Sequence, residues 1–277
     1  MKKTFQTEGP LQLNIELASG DIRIDAVADG GAEVELVAHD PTAQELVDAA
    51  TVELRGRELV IHVPQRRGGF SLSGLLGGGG ISCSVRCPEG SSLKARTKSA
   101  DLEVSGTLAR ADVATASGDA KFDDLTGDLS FKGASGDIRV RDVGGRVSVN
   151  TASGDIDLGR VRGTLSANTA SGDVSVAGAD GDAKANTASG DVSLDAVVAG
   201  DVSVNSASGD VRVGIRRGSR AYLDCSTVSG DTHSELDVSG DEPQGDGPLV
   251  HVKARTVSGD ITILRTAAPA ETQEVQA

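Results

Sequence analysis

The sequence predicts an all-β fold, a parallel β-solenoid (β-helix) of two-strand coils about eighteen residues long, with a short helix in the N-terminal part. Three observations carry this. Ser-Gly-Asp recurs at 117, 135, 153, 171 and 189, each copy eighteen residues after the last, and a fixed period of this size marks a repeat architecture. Apolar residues alternate with polar ones after every copy, the period-2 signature of a strand with one buried face. A second glycine divides each period into halves, as a two-strand coil requires.

Aligning the copies shows the elements. Three places after each Ser stand Leu102, Ala120, Ile138, Ile156, Val174, Val192, Val211 and Ile261. Two further on stand Val104, Phe122, Val140, Leu158, Val176, Leu194, Val213 and Ile263. β-Branched and aliphatic residues suit a pleated, half-buried surface. A second strand follows in Val147 and Val149, Leu165 and Ala167, Ala183 and Ala185, and Val202 and Val204. Between the strands lie Gly127, Gly145, Gly163, Gly181 and Gly200, read as turn residues that take φ > 0. Equivalent strands would lie parallel and about 4.8 Å apart, so the nine coils counted from Ser99 to Leu264 would make a rod of roughly 43 Å. Further Ser-Gly-Asp copies begin at 19, 208, 229, 239 and 258, and Ser99-Ala100-Asp101 is a degenerate one.

Two other solenoid patterns do not fit. A hexapeptide helix needs an aliphatic residue every six, and the positions six and twelve after Ile138 are Gly144 and Asn150. The calcium-binding nonapeptide solenoid needs Gly-Gly-x-Gly-x-Asp, and each turn here offers one glycine and usually one aspartate.

The chain divides into a less regular β region and cap over 1–98, continuous with the regular solenoid of 99–265, and a disordered tail over 266–277. Within the first part, residues 41–50 read as a short helix, since Pro41 suits a first turn. The glycine-rich span 68–80 reads as a surface loop and lacks the Gly-Lys-Ser/Thr ending of a phosphate cradle. Residues 237–249 expand one coil to 29 residues, and Thr232 and Ser234 replace the expected aliphatics just before that insertion.

Composition restricts function. The 277 residues carry 27 basic against 41 acidic side chains, a formal charge of −14, which disfavours nucleic acids and anionic lipid. Four Phe, one Tyr and no Trp fit a thin aliphatic core and leave few stacking platforms for sugars or bases. Neither an apolar leader nor an apolar run near twenty residues is found, so a cytoplasmic location is expected, with no direct membrane insertion. Cys83 and Cys87 lie on one strand at roughly 13 Å, too far for a disulfide, and read as buried thiols. Cys225, His39, His62, His233 and His251 are scattered. The sequence nominates no catalytic residue, no metal ligand and no cofactor.

Three polar columns remain. Asp119, Asp137, Asp155, Asp173, Asp191 and Asp210 stack one above another, and carboxylates about 5 Å apart in water repel by about 1 kcal/mol per pair. The structural reading is a repeated Asx-type turn, each carboxylate accepting from backbone N–H groups one or two residues on. Binding of calcium or another cation along the row is the alternative, and catalysis fits least, because equal environments give equal acidities. Thr97, Thr115, Thr151, Thr169, Thr187, Thr227 and Thr256, with Asn150, Asn168, Asn186 and Asn205 beside them, read as ladders that bond to their copies above and below.

The phrase Thr-Ala-Ser-Gly-Asp-Val/Ile at Thr151 to Ile156, Thr169 to Val174 and Thr187 to Val192, with the Asn before it, resembles the bacterial putative-adhesin domain of unknown function, a β-strand-repeat family. The likeness runs from about residue 10 to 264. It implies a parallel β-helical stack and a role in adhesion, and brings no catalytic residues. The expected function is a non-enzymatic structural or binding solenoid that presents a repetitive surface to a partner protein, itself monomeric or weakly self-associating. A self-assembling scaffold is one alternative, and a polysaccharide-acting β-helix enzyme is another. Specific function is expected where the rhythm fails, near 41–50, 68–80 and 237–249.

Overall fold

Alternate residues of the strands point into one continuous core, because the period-2 pattern puts every Val, Leu, Ile or Ala of a strand on the same face. In the computed structural model, which describes residues 1–28, 30–65, 80–236 and 246–266, these side chains form a single cluster running the length of the molecule. The elements are β1 (Lys2–Phe5), β2 (Gln12–Val27), β3 (Ala32–Ala38), α1 (Pro41–Asp48), β4 (Thr51–Arg55), β5 (Glu58–His62), β6 (Ile81–Pro88) and β7 (Ser92–Leu108). The shorter strands that follow come in pairs, one pair per coil. They are β8 (Arg110–Ala114) with β9 (Ala120–Leu125), β10 (Leu129–Lys132) with β11 (Ile138–Val143), β12 (Val147–Asn150) with β13 (Ile156–Val161), and β14 (Leu165–Asn168) with β15 (Val174–Ala179). Next come β16 (Ala183–Asn186) with β17 (Val192–Val197), β18 (Gly200–Asn205) with β19 (Val211–Arg216), β20 (Arg220–Ser229) with β21 (Thr232–Ser234), and β22 (Leu249–Ser258) with β23 (Ile261–Thr266).

The strands before each Ser-Gly-Asp turn make wall A, and those after it make wall B. Every pairing among β7 to β23 is parallel, and residues sit on their counterparts one coil away, as Val147 on Leu165 and Ile138 on Ile156 show. In wall A the inward residues donate to the next coil: Leu129 N–H to the Arg146 carbonyl, Val147 to Thr164 and Leu165 to Asp182, each at 2.8 Å. One core column runs Phe131, Val149, Ala167, Ala185, all buried. The interior therefore narrows after its largest side chain, which is why so few aromatics suffice. The sequence-predicted parallel solenoid is the observed fold.

The two ends differ. At the N-terminal end β2 lies against β7 along its whole length, with β5 and β6 on its other side. Beyond them the pairing turns antiparallel, β4 on β5 and β3 on β6, with β1 on β3. The expected helix forms because Asp40 caps it, its Oδ1 accepting the Ala43 N–H at 2.7 Å, and because Pro41 fits the first turn. Its Ala43 and Val47 are buried against the end of the core. At the other end the chain leaves its sequence order. The last coil in sequence, β22–β23, lies between β18–β19 and β20–β21, so the terminal coil in space is the penultimate one in sequence.

The dividing glycines correct the sequence reading. Of Gly127, Gly145, Gly163, Gly181 and Gly200, only Gly200 has a positive φ. The others are held by close approach instead: a Cβ on Gly163 would lie 2.3 Å from the Gly145 carbonyl oxygen. Most of the span 68–80, the stretch 237–245 of the insertion and the tail from 267 lie outside the described residues. No helix among the described residues is long and apolar enough to cross a membrane.

Most Ser-Gly-Asp glycines, Gly136, Gly154, Gly172, Gly190 and Gly209 among them, meet both demands at once. Gly172 has φ +144° and a Cβ there would meet the Gly154 carbonyl oxygen at 2.2 Å. Gly172→Ala is expected to lower unfolding stability by about 2 kcal/mol or more, read as a drop in the urea midpoint.

Candidate functional site

The surface available for recognition is set by what the outward residues of each wall do with their polar groups. On wall A, Ser130, Ser148 and Ser166 stand in one row and continue through Lys184, Ser203 and Lys253. The neighbouring row is Asn150, Asn168, Asn186 and Asn205, followed by Arg255. Asn168, Asn186 and Asn205 each donate from Nδ2 to the Oδ1 of the Asn one coil earlier, at 3.0, 2.7 and 2.9 Å. The Asn ladder is as the sequence predicts.

The Thr column differs from expectation. Thr97 does donate to Thr115, at 2.8 Å. In most of the later coils, however, the hydroxyl turns to a turn carbonyl, Thr151 to Ser153 at 3.3 Å, Thr169 to Ser171 at 3.2 Å and Thr256 to Gly209 at 3.2 Å. These hydroxyls are buried beside turn carbonyls, so they satisfy groups that would otherwise lie unpaired.

The Asp column is also built differently from an Asx turn. Each Oδ1 accepts the backbone N–H of the aspartate one coil on: Asp119 from Asp137 at 2.8 Å, Asp137 from Asp155 at 3.0 Å, Asp155 from Asp173 at 2.9 Å and Asp173 from Asp191 at 2.8 Å. The ladder continues through Asp210, Asp260 and Asp231 and thereby follows the spatial order of the last two coils. One charge-assisted bond per coil offsets the repulsion between neighbouring carboxylates. The motif is thus a bond between coils rather than a bond within a turn.

Wall B and its edge carry a further set of ion pairs. Lys121 reaches Glu103 at 3.2 Å, Arg160 reaches Asp180 at 3.0 Å, Arg162 reaches Asp142 at 2.8 Å, and Arg141 pairs with Asp124. Partial burial pushes the Asp142 carboxyl up, and Arg162 opposes that. Such exposed pairs contribute little each. Cys83 and Cys87 are free and buried, and desolvation pushes their thiols up to about 12 and about 11. His39 meets Ser82, His62 meets Glu16, His251 meets Asp201, and His233 lies beside Thr262 in the strand register. Among the described residues no three His, Cys, Asp or Glu come together to hold a metal. Sequence reasoning missed that Tyr222 stacks edge-on at 6.0 Å against His251, because that contact needs the reversed coil order.

The ladder makes a direct test possible. Asp155→Ala removes the acceptor for the Asp173 N–H and is expected to cost about 1 kcal/mol. Asp155→Asn keeps an acceptor and is expected to cost less than half of that, both read from urea unfolding.

Among solved structures the chain is similar to a putative lipid binding protein of Parabacteroides distasonis, at 17% identity and a TM-score of 0.53 over 95% of this chain and 96% of that one. It is also similar to a putative adhesin of Bacteroides fragilis, at 11% identity and a TM-score of 0.48 over 95% and 96% of the two chains. At such identities the first likeness shows a shared fold. No curated protein matches the chain. A family model described as the toastrack domain DUF4097 matches residues 11–264, the same stretch that forms the stacked coils, and the chain therefore belongs to the toastrack DUF4097 family.

Proposed function

We propose that this protein is a non-enzymatic binding solenoid of the adhesin type, and that it presents the outer face of wall A to a partner protein. The observation that carries this reading is the pair of in-register rows, serines at 130, 148 and 166 beside asparagines at 150, 168, 186 and 205. The ladder bonds hold the amides in one orientation before any partner arrives, which lowers the ordering cost of binding. Each amide oxygen keeps a lone pair for an outside group, while Asn168 Nδ2 also donates to Ser166 Oγ at 3.5 Å and so ties the two rows together. The face is uncharged at its centre, and its border carries both signs: Lys94, Arg96, Lys132, Lys184, Lys253 and Arg255, with Asp112 between Lys94 and Ser130, Glu16 against Arg96 and Asp224 against Arg255. Hydroxyls, amides and a border of both signs suit a polar protein surface better than a sugar, for which stacking aromatics are scarce.

The test is quantitative affinity capture from the native cell with fractionation. Ser148→Arg and Ser166→Arg together are expected to reduce recovery of the specific partner about tenfold, whereas Ser175→Arg on the exposed face of wall B leaves it unchanged. Equal recovery with both forms would contradict the reading.

A further inference from the structure

The terminal coil of the stack carries an edge that matches itself. In wall A the inward residues aim their N–H at the next coil, and in a parallel pair each residue's N–H and C=O point the same way. Register with β22 places Ala221, Leu223 and Cys225 on that inward set, so their backbone groups face outward from β20 along the open edge. Among the described residues no strand pairs there. The opposite end of the stack ends in α1 and antiparallel strands, β1 on β3 and β4 on β5, whereas here a parallel strand of wall A leaves its edge open to another strand.

The side chains repeat the asymmetry. Tyr222 and Val228 are 61% and 81% exposed, the two most exposed large hydrophobic residues of the described chain. Both lie on the outer face of β20, and they stand at equal distances from Cys225. The inward Ala221, Leu223 and Cys225 are only half buried. In β21, by contrast, the inward positions are Thr232 and Ser234, polar residues suited to staying wet.

We propose that β20 pairs antiparallel with β20 of a second copy about a twofold axis through Cys225. Two-fold contacts use the same patch twice, and residues opposite each other in an antiparallel pair share a face. The axis at Cys225 satisfies both conditions. It sets Tyr222 opposite Val228 of the second copy, an aromatic against a β-branched residue, which is a favourable cross-strand pair. It sets Asp224 opposite Ser226 and so avoids facing two carboxylates. It makes Cys225 and its copy a narrow, doubly hydrogen-bonded pair with Cα atoms about 5.5 Å apart. The two A walls then run on as one sheet, and the half-buried inward residues of β20 are covered. Because the axis is normal to wall A, the two B walls lie at opposite ends of the joint and β21 stays open, which accounts for its polar inward positions. The proposal does not rest on the wall A partner, since its readout is the mass of the isolated chain.

Light scattering over a concentration series is expected to show the mass rising from 28.1 kDa toward twice that value. Tyr222→Lys or Val228→Asp alone is expected to weaken the dimer at least about tenfold with the melting temperature of the monomer unchanged. The two together, which place opposite charges across the axis, restore it. Oxidation with a copper catalyst and dissolved oxygen links two chains at Cys225, and Cys225→Ser abolishes the link because Cys83 and Cys87 are buried. A chain that stays at monomer mass throughout, a dimer indifferent to the single substitutions, or one not recovered by the double substitution would overturn the proposal.

Discussion

The in-register stacking of coils about 4.8 Å apart is the constraint from which the rest of this molecule follows. Each residue must tolerate its own counterpart directly above and below. Apolar residues do so by filling a continuous core, and amides do so by donating to one another, as from Asn168 to Asn150. Carboxylates would fail the requirement if they faced each other bare. They meet it because the turn brings the next coil's N–H to each Oδ1, as Asp173 does for Asp155. Where two backbones come closer than a Cβ allows, only glycine remains, as Gly163 above Gly145 shows.

Much of this was legible in the sequence because the constraint repeats with the period. The strand pairs, the Asn ladder and the inward columns from Leu102 to Ile263 could be read from spacing alone. The acceptor of each aspartate could not, since period fixes which residues stack and leaves open whether a bond forms within a coil or between two. The dividing glycines misled for a related reason: glycine answers both a left-handed backbone and a crowded one, and sequence does not distinguish them. The coil order at the C-terminal end was hidden most deeply. Any coil of the right phase can sit on any other, so phase alone leaves the order of β20–β21 and β22–β23 undetermined. The polar Thr232 and Ser234 in an apolar column were the available signal, because a terminal coil is the place where an inward position meets water.

The ends of a stack decide whether it stops. Backbone groups on an open edge invite pairing, and the N-terminal end answers with antiparallel strands and a capped helix that reuse the same core. The C-terminal end answers in part, through the polar inward positions of β21, while β20 keeps Ala221, Leu223 and Cys225 inward and exposes Tyr222 and Val228. The walls between the ends carry no such pressure and are free to present surface. On wall A the groups presented are fixed by their ladder, so the device that stabilises the stack also prepares the face proposed to bind.

The central claim is that phase, rather than any particular coil, holds the fold together. Thermal unfolding followed by circular dichroism on two deletion variants tests it directly. Removing Ser153 through Ala170 takes out one whole period and leaves every remaining residue above its counterpart, so a cooperative β-sheet transition is expected, at a modestly lower temperature. Removing Ser153 through Val161 instead takes out half a period and leaves a coil with no strand for wall B, so Ile138 and Val140 lose the residues they stack on, and no cooperative transition is expected. Equal folding of both variants, or failure of both, would contradict the account.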